Sequence, residues 1–258
     1  MEQLGGVVHE RTRVQSIEPG RVRTEHGTLR SGVVVRATEA FTPALPGLRR
    51  AVLPIYSLML ATEPLPASFW EGVGWRDRET VADARRNIIY AQRTADDRIA
   101  FGGRGAPYHY ASRTDPDFDT DAKVHGALFA TLLDLFPGAA GARVTHTWGG
   151  PLAAARDWQC SVGIDRRTGL AWAGGYVGDG VATANLAGRT LTDLVLGHDT
   201  ELTRLPWVGH RSPSWEPEPL RWLGVRGALS LPPVIDAREA AGRSPGLPGR
   251  LLHRLVGH

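Results

Sequence analysis

The sequence predicts a mixed fold of the α+β or α/β class, and two patterns indicate it. Between Ala171 and Gly197, a short apolar run, a cluster of glycines and a segment with helically spaced apolar residues follow one another, as in a strand, a turn and a helix. Residues 44–143 contain several strand-like runs that end in one amphipathic segment. With 258 residues, 42% of them hydrophobic, the chain is long enough for one large or two small domains with a core.

The composition argues against several classes of protein. The net charge is +3, but the arginines are spread along the chain among acidic residues, so we expect no nucleic-acid partner. No run of about 18 apolar residues occurs, and the first residues lack the features of a signal peptide, so we expect no membrane partner. The single Cys160 has no disulfide partner in the chain and fits the reducing cytoplasm, and no residues have the spacing of a metal site. We therefore expect a cytoplasmic protein without a metal.

The first segment, residues 1–43, is predicted to form short strands. One strand lies within residues 5–20, a hairpin surrounds Gly27, and Val33–Val35 forms a buried strand. The next segment, residues 44–143, begins after prolines and a glycine that indicate a crossing between domains. It contains apolar or alternating runs at 53–65, 79–86, 87–95 and 98–105, followed by a predicted amphipathic helix within 119–138.

The last two segments are residues 144–200 and the tail 201–258. The first contains a predicted strand with Trp148 and Gly150, and then the strand, turn and helix described above. In the tail, residues 217–230 are predicted to form a docking helix whose apolar residues are Leu220, Leu223 and Val225. The final residues, 247–258, form either a short amphipathic helix or a frayed end.

The glycine cluster allows two interpretations. Glycines lack a Cβ atom, so the backbone N–H groups of Gly178 and Gly180 can approach a ligand closely. A helix that begins there adds the positive end of its dipole, which suits a phosphate or an electron-rich ring oxygen. Alternatively, the glycines serve only to form the turn, because such a turn alone is a weak signal.

The stretch GGYVGDGVATANLAGRTLTDLVLG resembles the C-terminal flavin motif of the D-amino-acid oxidase-like family of FAD-dependent oxidoreductases. The resemblance extends over roughly Leu4 to Gly197, and within the family it is greatest to the gamma-glutamylputrescine oxidoreductase-like amine oxidases. Trp148, Gly150, Asp157 and Gly163 match the order of a further family pattern. The resemblance implies FAD as cofactor and the C-terminal part of an FAD-binding domain with an inserted antiparallel-sheet substrate domain. The implied divisions are 1–43 and 144–200 for FAD, 44–143 for substrate, and 201–258 as a tail.

The resemblance also implies which residues bind the cofactor. Val14 matches a valine that touches the adenine part of FAD, or it is an ordinary core residue of its strand. Ala37 and Thr38 end a strand that passes the cofactor, and Glu39 stands where the family usually has glycine or asparagine. The residues of the turn are implied to lie against the pyrimidine side of the flavin ring: Gly175, Tyr176, Val177, Gly178, Asp179, Gly180 and Val181.

Four residues are candidates for the substrate site. Tyr90 is implied to face the flavin or is a core aromatic residue, and Arg104 binds a substrate carboxylate or is a surface charge. Tyr108 follows nearby as a further candidate pocket residue, and Trp148 either forms a wall of the site or is a core residue. Glycine oxidase-like members have an arginine where this chain has Pro151-Leu152, which favours a small amine over a simple alpha-amino acid as substrate.

The sequence lacks one element of the family pattern. A complete member begins with a strand, the motif G-x-G-x-x-G and a helix, which hold the pyrophosphate of FAD. Without this element, Val33–Val35 and the helix Ala182–Leu196 are expected to expose apolar surface. The chain is therefore expected to be a C-terminal fragment of an amine or amino-acid oxidoreductase, or to have its N-terminal half on another polypeptide. The alternative is a non-catalytic remnant or interaction subunit without cofactor.

Overall fold

The computed structural model describes residues 2–86, 88–104 and 108–256, with only the backbone described for 104, 255 and 256. The chain divides into two compact units. Unit 1 comprises Met1–Leu53 and Ala153–Trp215, and unit 2 comprises Pro54–Leu152 and Glu216–His258. The α-helices are α1 Ala67–Val73, α2 Ala122–Leu135, α3 Gly180–Leu196, α4 Leu220–Ala240 and α5 Gly246–Val256. The strands are β1 Val14–Glu18, β2 Arg21–Thr24, β3 Thr28–Arg30, β4 Val34–Arg36, β5 Leu53–Thr62, β6 Thr80–Ala82, β7 Ile89–Arg93, β8 Ile99–Arg104, β9 Val144–Ala154, β10 Ser161–Asp165 and β11 Leu170–Gly174.

Unit 1 contains two small sheets. Strands β1, β2 and β3 form an antiparallel sheet, which includes the predicted hairpin around Gly27. The second sheet has the order β10-β11-β4, in which β10 and β11 are antiparallel while β11 and β4 are parallel. Helix α3 packs on the second sheet, and its Ala187 and Leu191 are buried with Val162, Ala171 and Ala173. The predicted strand, glycine turn and helix are thus confirmed as β11, the turn and α3.

Strand β4 is the outer strand of its sheet in the described part of the chain. The sequence predicts that Val33–Val35 is a buried strand, but the strand is shifted by one residue, and only Val34, at 6% exposure, is buried. Val35 is 45% exposed because successive side chains of a strand point to opposite faces, and nothing in the described structure covers the second face. On α3, Val181 is 96% and Leu196 63% exposed. Both elements thus carry exposed apolar side chains, and the element that would cover them stays a prediction.

Unit 2 is built on a five-stranded sheet of order β6-β7-β8-β5-β9. The pairs β6/β7, β7/β8 and β8/β5 are antiparallel, as expected for the inserted domain. Helix α2 begins after Asp121, whose carboxylate accepts hydrogen bonds from the N–H groups of Lys123 and Val124, and it ends before Pro137. Its Leu128 and Leu132 pack into the main core of the unit.

The C-terminal part of unit 2 forms helices α4 and α5. Helix α4 is longer than predicted, and of the apolar residues expected to dock it only Val225 is buried; Leu220 and Leu223 are exposed. The buried face of α4 instead includes Arg221, which donates hydrogen bonds to the Glu218 carboxylate. Helical spacing cannot reveal this choice, because an ion pair satisfies a buried arginine as well as apolar packing satisfies a leucine. Among the described residues, no helix is long and apolar enough to cross a membrane.

Candidate cofactor and substrate sites

The turn between β11 and α3 has a backbone that favours glycine. Gly174, Gly175 and Gly178 have φ angles of 154°, 81° and 101°, which side chains disfavour. Val177, with φ 49°, also lies in this region and donates its N–H to the carbonyl of Ala153 at 3.2 Å. The chain therefore makes a sharp reversal here, which is held at its centre by a backbone hydrogen bond.

Helix α3 begins directly after the turn, at Gly180. The N-cap residue is Asp179, but among the described residues no side chain caps this end of the helix. Because the first N–H groups of a helix have no partner within it, they can donate to a ligand. Gly178 and Val181 are exposed, so their N–H groups are accessible in unit 1, whereas the N–H of Asp179 donates to the Tyr176 carbonyl at 3.0 Å. A Cβ atom at Gly180 would make an ordinary contact with the Tyr176 side chain, at 3.5 Å, so the fold does not require glycine here. Its missing side chain leaves room for a ligand to approach the start of the helix.

The carboxylate of Glu39 binds the first part of the turn. Its Oε1 accepts hydrogen bonds from the N–H groups of Gly175 at 2.6 Å and Tyr176 at 3.3 Å. Its Oε2 accepts one from the N–H of Ala153 at 3.1 Å. Glu39, which stands where the family usually has glycine or asparagine, is therefore hydrogen-bonded to the glycine turn that carries the family resemblance.

Two titratable side chains line the same turn. Burial, followed by the charges of Glu39 and Cys160, raises the pKa of Tyr176 to about 12. Burial also raises the pKa of the Cys160 thiol above its ordinary value, and the nearby carboxylates of Asp179 and Glu39 act in the same direction. Both groups are thus held in their neutral, protonated forms.

The other predicted cofactor residues lie in two different places. Thr38 precedes Glu39 and shares a 2.8 Å hydrogen bond with the hydroxyl of Thr42, while Ala37 is exposed beside it. These residues follow β4, which is paired with β11, so the fold brings them to the sheet that carries the turn. Val14 is half-buried in β1, which belongs to the separate β1-β2-β3 sheet. The adenine contact proposed for Val14 stays a prediction.

In unit 2, the ring of Tyr90 lies across Gly102. A Cβ atom at Gly102 would lie 2.5 Å from Tyr90 Cε2 and 2.8 Å from Met59 Cγ, so only glycine leaves room for the ring. Residues 90, 102 and 59 form one row across β7, β8 and β5. The Tyr90 hydroxyl reaches Ser57, two residues from Met59 along β5, with an O–O distance of 2.6 Å. Ser57 was not predicted from sequence, because one serine in an apolar strand carries no signal of its own.

Trp148 and Arg104 lie on strands that adjoin the Ser57 strand. The backbone of Arg104 pairs with Ser57, but its side chain lies outside what the structure describes. Trp148 is 40% exposed on β9, so it is not a core residue. The next residue, Gly149, sits so close to β5 that a Cβ atom there would lie 2.9 Å from the carbonyl oxygen of Ser57. The fold therefore brings the Arg104 backbone and Trp148 to the two strands beside Ser57, while the hydroxyl of Tyr90 reaches Ser57 from β7.

Tyr108, a further candidate for the pocket, has a structural position instead. It is 1% exposed, and its hydroxyl donates a hydrogen bond to Glu218 at 2.5 Å. The Tyr108 hydroxyl also accepts the N–H of Ser112 at 2.9 Å. Within unit 2, this hydroxyl joins the loop before α2 to the segment before α4. Sequence alone cannot show this, because Glu218 is more than a hundred residues away along the chain.

The residues of the turn fit a flavin ring. A flavin offers ring carbonyl oxygens and a ring nitrogen that accept hydrogen bonds, and the uncapped start of α3 offers accessible donors behind glycines that keep the approach open. No group of three metal-ligating side chains is found in the described ranges. The fold and the turn together are typical of flavin-dependent oxidoreductases.

Comparison with known proteins defines the family. Residues 1–194 match the family model described as FAD dependent oxidoreductase, so the chain belongs to this FAD-dependent family. It is 28% identical over 199 residues to gamma-glutamylputrescine oxidoreductase of Escherichia coli, covering 75% of this chain and 44% of that protein. It is 27% identical over 187 residues to a probable oxidoreductase, OrdL, of Haemophilus influenzae, covering 70% of this chain and 40% of that protein.

Solved structures show the same fold. Glycine oxidase from Geobacillus kaustophilus superimposes with a TM-score of 0.66 at 20% identity, covering 81% of this chain and 54% of that chain. L-proline dehydrogenase from P. horikoshii gives a TM-score of 0.64 at 21% identity, covering 78% and 54%. The chain thus spans less than half the length of the curated relatives and about half the length of the structural neighbours.

Proposed function

We propose that this chain binds the pyrimidine end of FAD and takes part in oxidising the C–N bond of a small amine or amino acid. The observation that carries the proposal is the uncapped, accessible start of α3 behind the glycine turn, in a chain of the FAD-dependent family. The donors there are the N–H groups of Gly178, Gly180 and Val181, and the helix dipole favours negative charge at the same point. FAD, when bound, supplies the acceptor for the hydride that leaves the carbon beside the substrate nitrogen.

Unit 2 is proposed to bind the substrate. The paired hydroxyls of Tyr90 and Ser57 can accept a hydrogen bond from an amine or donate one to a carboxylate. Arg104 supplies a guanidinium for a carboxylate at the far end of the substrate, and Trp148 supplies an exposed aromatic face. Gamma-glutamylputrescine, named in one relative, has both an amine and a carboxylate, and the absence of arginine at Pro151-Leu152 supports such a substrate over glycine.

The proposed activity requires a dinucleotide-binding element that the chain does not contain. We propose that it adjoins the outer edge of β4, where a further parallel strand would pair with the β4 backbone, and packs on the exposed side chains of Val35 and Val181. We propose that this element lies on an adjoining segment or a separate polypeptide, and that the assembled protein works in the cytoplasm, which the single cysteine supports.

The test is to search the neighbouring coding sequence for a G-x-G-x-x-G element and to express it together with this chain. The proposal expects a yellow protein that oxidises glutamylated or polyamine-type amines faster than glycine or sarcosine. A pair that stays colourless after FAD is added contradicts it and supports a cofactor-free interaction subunit. A strong preference for glycine contradicts only the substrate assignment.

A further inference from the structure

Glu39 holds three segments of unit 1 together through one carboxylate. It lies in the short 3-10 helix Glu39–Ala44, its Oε2 binds the Ala153 N–H, and its Oε1 binds the N–H groups of Gly175 and Tyr176. Hydrogen bonds to a charged acceptor are stronger than those between neutral groups. The carboxylate is thus an anion supplied by the protein itself, held by backbone donors from two distant parts of the chain.

The local backbone is adapted to this carboxylate. Glu39 has φ 39°, which is unusual for a residue with a side chain, and Gly174 has φ 154°. A Cβ atom at Gly174 would lie 3.1 Å from Glu39 Oε1, so the absence of a side chain there gives the carboxylate its place. Burial and the charge of Arg211 lower the pKa of the Arg36 guanidinium, and the negative charge of Glu39 opposes both effects. Glu39 therefore also acts on a neighbouring cation.

We propose that Glu39 is a positioning residue for the flavin turn. Its carboxylate binds the N–H groups of Gly175 and Tyr176 and so fixes the path of the chain into α3 before any cofactor arrives. The N–H groups of Gly178, Gly180 and Val181 are left for the ligand, whereas the N–H of Asp179 donates to the Tyr176 carbonyl. The negative charge next to the turn also opposes the addition of electrons to a flavin bound there. This inference rests on the proposed function for its cofactor, but the bonds themselves are tested without one.

The first experiment measures amide hydrogen exchange in the purified chain without FAD. Glu39→Gly removes the carboxylate at a φ angle that glycine adopts readily, and Glu10→Gly, at an exposed position of the same unit, is the control. Exchange at Gly175 and Tyr176 should become about tenfold faster or more in Glu39→Gly, since each amide loses a charge-assisted hydrogen bond. Added acetate should slow this exchange again in Glu39→Gly alone, because a free carboxylate can occupy the vacated donors.

Glu39→Gln serves as a second variant of nearly the same size. Its amide oxygen can accept from Gly175 and Tyr176, but its NH₂ group then faces the N–H of Ala153. Exchange should therefore increase at Ala153 more than at Gly175. Unchanged exchange at all three amides in both variants, or an acetate effect equal to that in the Glu10→Gly control, overturns the assignment of Glu39 as an internal anion.

The positioning role is tested in the FAD-loaded protein. Glu39→Gln removes the negative charge and should raise the midpoint potential of the flavin, whereas a purely structural residue would change the melting temperature alone. An unchanged potential together with faster exchange would show that Glu39 is scaffolding and overturn the positioning role. Failure of the wild-type protein to bind FAD would instead contradict the proposed function and leave the exchange result standing.

Discussion

The substitution Gly102→Ala tests the arrangement of Tyr90 and Ser57 in unit 2. The added methyl carbon would lie 2.5 and 2.6 Å from Tyr90 Cε2 and Cζ, and 2.8 Å from Met59 Cγ. Carbon atoms at rest are about 3.5–4.0 Å apart, so the ring has to move by roughly an ångström or more. Movement of the ring carries its hydroxyl away from Ser57, to which it is now hydrogen-bonded at 2.6 Å.

The magnitude follows from two separate losses. Forcing an extra carbon into a packed site costs about 1–3 kcal/mol, and the lost hydrogen bond adds about 1 kcal/mol. We therefore expect the free energy of unfolding to fall by roughly 2–4 kcal/mol, measured by urea unfolding. The control is Gly126→Ala on the exposed face of α2, where a Cβ atom meets nothing within 4 Å. This change should stabilise the helix by about 0.5–1 kcal/mol.

A double-mutant cycle decides whether the clash with Tyr90 is the cause. In a Tyr90→Ala background the ring is absent, so Gly102→Ala should cost less there by at least about 1 kcal/mol. An equal cost of Gly102→Ala in both backgrounds would show that the clash with Tyr90 is not the cause. Substrate affinity of the assembled protein should fall in Gly102→Ala and remain normal in Gly126→Ala.

Three further predictions concern other parts of the chain. Gly149→Ala places a Cβ atom within 2.9 Å of backbone carbonyl oxygens that cannot move cheaply, so it should lower the free energy of unfolding by about 2 kcal/mol or more. In the control Gly150→Ala, the Cβ atom meets nothing within 4 Å, and the free energy of unfolding should change by less than about 0.5 kcal/mol. Urea unfolding of both variants measures the difference. Burial raises the pKa of Glu218, but hydrogen bonds from Tyr108 and Arg221 lower it by more than burial raises it. The pKa of Glu218 is therefore below its ordinary value. The Glu218 carboxylate therefore stabilises the fold above about pH 4.3, and this stabilisation is lost as the pH falls through the folded pKa. Unfolding curves measured at decreasing pH should show that Glu218→Gln loses less free energy of unfolding than the wild type. An equal loss in both proteins would contradict this role of Glu218. Gly180→Val should weaken FAD binding by about tenfold or more and leave the melting temperature nearly unchanged. FAD titration and thermal unfolding of one preparation measure both quantities. A change in melting temperature alone would show that the turn has only a structural role.

The elements that the sequence predicts well are those determined by nearby residues. The strand, glycine turn and helix from Ala171 to Gly197 depend on local spacing and on glycines whose φ angles the structure shows to be positive. The strands of unit 2 and helix α2 also agree, because alternation, the Asp121 cap and Pro137 are local signals.

The features that sequence does not reveal depend on distant partners. Val35 is exposed and Arg221 is buried because of what covers each face, and spacing along the chain carries no information about that. The hydroxyl pair of Ser57 and Tyr90 needs a glycine on a third strand, so no single segment predicts it. Glu39 was recognisable as a departure from the family pattern, but its bonds to Gly175 become visible only in the folded chain.

The predicted domain boundaries remain a prediction. The sequence places the change from the substrate segment to the flavin segment after residue 143, whereas the compact units change at Leu152 and Ala153. The difference arises because β9 begins in the sheet of unit 2 and its last residue, Ala154, is already buried in unit 1. A strand that runs through two units has no sequence signal at the point where it passes from one to the other.

The most direct test of the proposed flavin site is amide hydrogen exchange along residues 175–183, with and without FAD, in the chain assembled with its dinucleotide-binding element. FAD should slow exchange at the N–H groups of Gly178, Gly180, Val181 and Ala182. Little change is expected at Asp179, whose N–H donates to the Tyr176 carbonyl, or at Gly175 and Tyr176, which Glu39 already binds. FAD that binds the assembled protein without slowing exchange at Gly178, Gly180, Val181 or Ala182 would contradict a flavin site at this turn.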